Sequence, residues 1–138
     1  MALKKITSND FKKSRNFKDI SLSFLKNPFT KDISPVTNAE AIKQSVKNIV
    51  LTAPGEKLFQ PRFGSKVYTL LFEPLDPFII DTIQSEILNT INNHEKRVTV
   101  TSLKCIPDYD NNSLDVSLEY QIIGIPITES VQFVLQRP

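Results

Sequence analysis

The sequence predicts an α+β domain: three helical segments followed by a three-stranded antiparallel meander, with the helices on one face of the sheet. Three observations carry this expectation. Apolar residues recur at helical spacing from Ala39 to about Asn93. After His94 the apolar period shortens to two. Turn residues at Asp110-Asn111-Asn112-Ser113 and at Gly124 and Pro126 then cut the alternating region into three strands. Runs of helix followed by runs of strand indicate α+β.

Residues 1–18 read as irregular. Asp19 to Phe24 alternate in part, which suggests a short strand or extended segment, and Pro28 and Pro35 bound an irregular stretch. Asn38 is a suitable N-cap, with Ala39 opening the first helix. Ile42, Val46, Ile49, Val50 and Ala53 share one face of it, and Pro54-Gly55 stops it. The segment from Ala53 to Asp76 is dense in glycine and proline yet carries Leu58, Phe59, Phe63, Val67, Leu70, Leu71 and Phe72. It should therefore be buried against its neighbours, with a short helix capped by Ser65 and running to about Phe72. Asp76 caps the third helix, and Pro77 occupies the first helical position, where a missing N–H costs least. Ile80, Ile83, Ile87 and Ile91 form its apolar stripe.

In the strands, Val98 and Val100 share a phase that Leu103 and Cys105 do not, so a bulge belongs near Ser102. Leu114, Val116, Leu118, Tyr120 and Ile122 alternate cleanly with polar residues. Ile127, Val131, Phe133 and Leu135 share a face of the last strand, which should lie at the sheet edge because meander neighbours pair in sequence.

The chain has 138 residues, enough for one ordinary core. It divides by charge into a basic, aromatic arm over residues 1–35 and an α+β domain over residues 36–138. Residues 1–31 carry eight Lys or Arg against two Asp, a balance of +6, while the remainder carries nine basic and thirteen acidic residues, −4. Such an arm suits a solvated tail, a nucleic-acid or membrane contact, or docking on an acidic partner. Its recurrent Phe11, Phe17, Ile20, Leu22, Phe24, Leu25 and Phe29 favour packing on a neighbour or on the chain's own body. No apolar run is long enough to span a bilayer, and no h-region follows the basic start. A single cysteine, Cys105, fits a reducing cytoplasm.

The residues offer little chemistry. One histidine, His94, and one cysteine cannot supply the four ligands of a zinc site. No phosphate-binding glycine motif occurs, and no cofactor is expected. Cys105 with His94 as a nucleophilic pair has nothing to organise it, and Cys105 reads as a small core residue. Glu56, Glu73 and Asp76 could form the carboxylate pair of a glycosidase. The plainer reading pairs Glu56 and Glu73 with Lys57, Arg62 or Lys66 and makes Asp76 a helix cap. At the helix-to-strand switch, His94-Glu95-Lys96-Arg97 has two readings. Lys96 and Arg97 neutralise the helix C-terminus, or Glu95 and Arg97 form a fixed charged hook for a partner.

The run G-E-K-L-F-Q-P-R-F-G-S at residues 55–65, the F-K-D-I start at 17–20, the L-L-F-E stretch at 70–73 and the charged junction together resemble the baseplate wedge and sheath-initiator family of contractile-tailed phages, which is shared with type VI secretion baseplates. The resemblance spans about Phe17 to the end. It implies a structural wedge protein of the virion tail baseplate, assembled in the host cytoplasm, rather than an enzyme. A lysozyme-like glycosidase acting on peptidoglycan is the alternative. The family's Glu-Pro-Arg motif, which contacts the helical wedge core, matches here at Glu95 and Arg97, with Lys96 in place of the proline. The resemblance further implies that the C-terminal hairpin offers its edge to strands of the tail sheath protein through Thr128, Ser130, Val131, Gln132, Phe133, Val134 and Gln136. Implied partners are wedge core proteins and the sheath protein, with tail tube or hub proteins as neighbours, and neither a specific nucleic acid nor a membrane.

Overall fold

The computed structural model describes residues 18–20, 22–26, 28–32, 35–37, 39–124 and 127–137. The chain forms two compact units, residues 1–44 and residues 45–138. In the first, β1 (Lys18–Ile20) pairs antiparallel with β2 (Pro35–Thr37), Asp19 opposite Val36. The extended segment expected over Asp19–Phe24 overlaps β1 only at Asp19 and Ile20, and Pro35, expected to close an irregular stretch, instead opens β2, since proline is tolerated at the first residue of a strand. The Gln44 side chain secures the chain after β1: its Nε2 donates to the Ile20 carbonyl at 2.8 Å, and its Oε1 accepts from the Leu22 N–H at 3.3 Å. Ile20, Leu22, Phe24, Leu25 and Phe29 are all exposed. The arm's Phe11 and Phe17, the capping role of Asn38 and the Pro126 turn position lie outside the described residues.

Helix α1 (Ala39–Leu51) buries Ile42, Val46, Ile49 and Val50 of the stripe its spacing predicts; it ends before Ala53, expected on the same face. The short helix α2 (Val67–Leu70) ends earlier than expected. Ser65 still serves its start, since its Oγ accepts from the Val67 N–H at 3.2 Å. Helix α3 (Pro77–His94) begins as its residues dictate, with Pro77 at the first position and Asp76 Oδ1 accepting from the Ile79 N–H at 2.8 Å. Ile80, Ile83, Ile87 and Ile91 are buried, and each such side chain contributes about 1.5–3 kcal/mol by leaving water.

The sheet of the second unit has the order β3 (Val98–Asp108), β4 (Ser113–Ile122), β5 (Thr128–Gln136), all antiparallel. Val100 pairs with Tyr120 and Ser102 with Glu119, so Thr101 is the extra residue of a bulge. The bulge restores Leu103 and Cys105 to the face of Val98 and Val100, opposite Leu118 and Val116. At the β3–β4 turn, Asp108 Oδ1 accepts from the backbone N–H of Asp110 and Asn111, and Asn112 takes φ +48°. That left-handed position suits asparagine. One sheet face is buried through Leu114, Val116, Leu118, Tyr120, Ile122, Val131, Phe133 and Leu135, and α3 packs against β3. Ile127, expected to join this face, precedes β5 and is exposed.

The larger correction concerns residues 53–76. Val67 and Leu71 are buried, but Leu58, Phe59, Tyr68 and Phe72 are exposed. Val67 and Leu71 anchor the segment, with the half-buried Phe63 ring against His94, while those four face outward. Gly64, at φ +114°, lets the chain return so closely to the end of α1 that a Cβ there would stand 2.4 Å from the Thr52 carbonyl oxygen.

Candidate partner-binding site at the helix-to-strand junction

Helix α3 ends in a turn that places a carboxylate inside the protein. The Glu95 N–H donates to the Ile91 carbonyl at 2.8 Å, and Glu95 is only 4% exposed. Arg97 closes on it as a two-pronged fork: Nε donates to Oε1 at 2.7 Å and an Nη to Oε2 at 2.6 Å. The Arg97 N–H adds a third bond to Oε1 at 3.2 Å. From α1, Ser45 Oγ donates to Oε2 at 2.8 Å. Burial pushes the Glu95 carboxyl up, but the bonds from Arg97 and Ser45 outweigh it and hold the group below its ordinary value of 4.5. A paired guanidinium and carboxylate in this geometry are both strong and directional.

Lys96 does different work. Its Nζ donates to the Asn92 carbonyl at 2.9 Å, satisfying the C-terminus of α3 as a cation there should. Lys96 thus serves the helix end, while Arg97, expected there as well, is instead fixed against Glu95. The Arg97 carbonyl also accepts from the Ile123 N–H at 2.8 Å, so backbone and side chain are both anchored. The Arg97 side chain is about one-third exposed, at 35%. The Glu95 carboxylate thus holds the Arg97 side chain in one orientation at the surface. Ser45 was not legible in the sequence, because only the fold brings it to a residue fifty positions later.

The second candidate surface is the β5 edge. Among the described residues β5 pairs with β4 alone. The Arg137 N–H donates to the Asn112 carbonyl at 3.1 Å, and the ladder alternates from there. Val131, Phe133 and Leu135 thus direct their backbone groups to β4, while Thr128, Ser130, Gln132, Val134 and Gln136 direct theirs to the open edge. The structure separates the expected docking residues into these two sets, and the side chains of Val131 and Phe133 are buried.

The residues weighed for catalysis are dispersed into local roles. Glu56 Oε2 accepts from the Ala53 N–H at 2.9 Å, closing a turn in place of the expected ion pair with a nearby cation. Asp76 caps α3, and Glu73 is exposed. Burial pushes the Cys105 thiol up to about 11, with a hydrogen bond involving Gln84 opposing that shift, which disfavours the reactive thiolate. The His94 ring lies 5.0 Å from that of Phe63. Among the described residues no group of three or more His, Cys, Asp or Glu could hold a metal ion, and no helix is long and apolar enough to cross a membrane.

Comparison with known proteins gives these surfaces a context. The chain is 31% identical over 102 residues to baseplate wedge protein gp25 of Enterobacteria phage T4, across 74% of this chain and 77% of that protein. Two solved structures share the fold. A protein from Geobacter sulfurreducens described as a tail lysozyme superposes with a TM-score of 0.66 at 21% identity, covering 72% of this chain and 90% of its own. A chain of the anti-feeding prophage baseplate superposes with a TM-score of 0.63 at 18% identity, covering 89% and 87%. The family model for baseplate wedge protein gp25 matches residues 36–126, from within β2 through the three helices, β3 and β4, and stops before β5. With that match and the T4 relative together, the chain belongs to the gp25 baseplate wedge protein family.

Proposed function

We propose that this chain is a structural component of a contractile-tail baseplate, residing in the virion tail, that binds the wedge core through Glu95, Lys96 and Arg97 and presents β5 to the tail sheath protein. The observation that carries this reading is the Ser45–Glu95–Arg97 cluster. It spends three hydrogen bonds from Arg97 and one from Ser45 on a single buried carboxylate. The result is a rigid charged feature that fits recognition of a partner. The β5 edge supports the sheath half of the proposal. Its outward backbone groups run from Thr128 to Gln136 without a proline to interrupt them, which suits strand addition.

The protein acts as a scaffold and not as a catalyst. Two of the carboxylates a glycosidase would need, Glu56 and Asp76, are already engaged by backbone N–H groups. Reconstitution tests the proposal as a whole. The chain co-expressed with its wedge proteins should co-purify with them and should show no turnover of purified peptidoglycan. Turnover that Glu56→Gln or Glu73→Gln abolishes would establish the lysozyme-like alternative instead.

A further inference from the structure

The loop between Thr52 and Ser65 is built to hold apolar side chains out of the core. Its ends are clamped, with the Ser65 N–H donating to the Thr52 carbonyl at 2.8 Å and Ser65 Oγ to the Val50 carbonyl at 3.1 Å. Within it, three successive turns are closed by N–H groups of Glu56, Gln60 and Phe63 donating to the carbonyls of Ala53, Lys57 and Gln60. Closed ends and internal turns define a compact surface loop of the Ω type. At its tip Leu58 is 81% exposed and Phe59 completely exposed, with Phe59 at φ +65°, a conformation that residues with a side chain rarely adopt.

This tip is continuous with the charged junction. Lys57 Nζ lies 4.1 Å from the centre of the Phe63 ring, and that ring packs against His94, the residue before Glu95. Beside this stack an open groove of about 320 Å³ is lined by Arg62, Lys66, Glu86, Asn89, Asn93 and His94, among others. The one carboxylate of that set, Glu86, already accepts from the Lys66 N–H at 3.0 Å. Arg62, Lys66, Asn89 and Asn93 supply cationic and amide groups to the remainder.

We infer that this loop is a second anchor for the wedge partner: an acidic segment of that partner lies in the groove against Arg62 and Lys66, and the Leu58–Phe59 tip enters an apolar pocket on the same protein. The inference rests on the wedge-binding reading of the junction. Charge selects the occupant. Lys57 precedes the tip in the chain and Arg62 and Lys66 line the groove, whereas Glu56 is held by the Ala53 N–H. Two copies of this chain meeting tip to tip about a twofold axis would bring these cations together, while a carboxylate-edged pocket would neutralise them. An exposed aromatic and an arginine on a stiff loop are also the residue types that dominate binding energy at interface centres.

The test places p-benzoylphenylalanine at position 59 of the full chain and maps its photo-adduct, by peptide sequencing, in assembled baseplates. The inference predicts an adduct to another baseplate protein, in a segment where apolar residues are flanked by Asp or Glu. An adduct to a second copy of this chain, to the sheath protein or to nothing overturns it. In parallel, Phe59→Ser and Arg62→Glu should each lower the chain's incorporation into baseplates at least tenfold while leaving its unfolding midpoint unchanged; normal incorporation of both overturns the inference. Arg97→Ala separates this from the junction reading. Normal incorporation with Phe59→Ser and loss with Arg97→Ala defeats the loop alone, and the reverse pattern defeats the junction alone.

Discussion

At the scale of single residues, the site is an exercise in keeping one buried carboxylate ionised. Glu95 is almost inaccessible, and burial alone would favour its neutral form. The bonds from Arg97, then from Ser45, reverse that preference and depress its pKa below 4.5. A carboxyl whose folded pKa is depressed contributes stability that is fully present above its unfolded pKa and is lost as pH falls through the folded value. Urea midpoints measured from pH 7 down to pH 3 should therefore fall as the pH drops below about 4.5, and fall less steeply for Glu95→Gln than for the natural chain. Equal acid sensitivity in the two proteins would show that the cluster adds nothing to stability. The charged pair itself was legible from the run Glu95-Lys96-Arg97, and so was the affinity of a lysine for the helix end. What the sequence could not show was that Glu95 points inward and that Arg97 is committed to it, because burial at an element junction depends on where Ser45 arrives from α1.

At the scale of elements, periodicity decided nearly everything it could reach. The stripes of α1 and α3, the Asp76-Pro77 start, the bulge after Val100 and the alternation of β4 all follow from local pattern, and each is present. The loop after α1 did not follow, because an apolar count says how much a segment would gain by burial and not which way its tip faces. Its geometry is set by Gly64 and the return to Thr52, which leave Leu58 and Phe59 outside. The β1–β2 pairing was missed since three residues on each side are too few for a period to register. The element that carries a functional prediction is β5. Gln132 turns its N–H to the open edge, and Val131 turns its own to β4. Gln132→Pro should leave the fold intact by circular dichroism and permit baseplate formation, yet stop sheath polymerisation, because it removes an outward donor only. Val131→Pro should unfold the hairpin, since it breaks the inner ladder. Full-length sheath on particles carrying a folded Gln132→Pro chain would place the sheath contact elsewhere.

At the scale of the whole molecule, the second unit presents an apolar tip, a groove with Arg62 and Lys66 in its lining, a fixed guanidinium and an open strand edge, while Glu56, Asp76, Glu86, Glu95 and Asp108 accept hydrogen bonds within the fold. That distribution suits a part held by several neighbours at once, as expected of a member of the gp25 baseplate wedge family. The central claim is that the junction fixes this chain to the wedge, and co-purification of Arg97→Ala with the wedge proteins tests it most directly. Removing the guanidinium leaves Glu95 buried with Ser45 as its remaining side-chain partner, a loss of about 1–3 kcal/mol once the partial exposure of Arg97 is allowed for. The variant's thermal unfolding must therefore be measured alongside, to confirm that it is folded at the temperature of the assay. The account predicts a folded Arg97→Ala chain that no longer co-purifies with the wedge proteins; a folded variant that assembles into wedges as the natural chain does would contradict it and reduce the junction to a helix terminus.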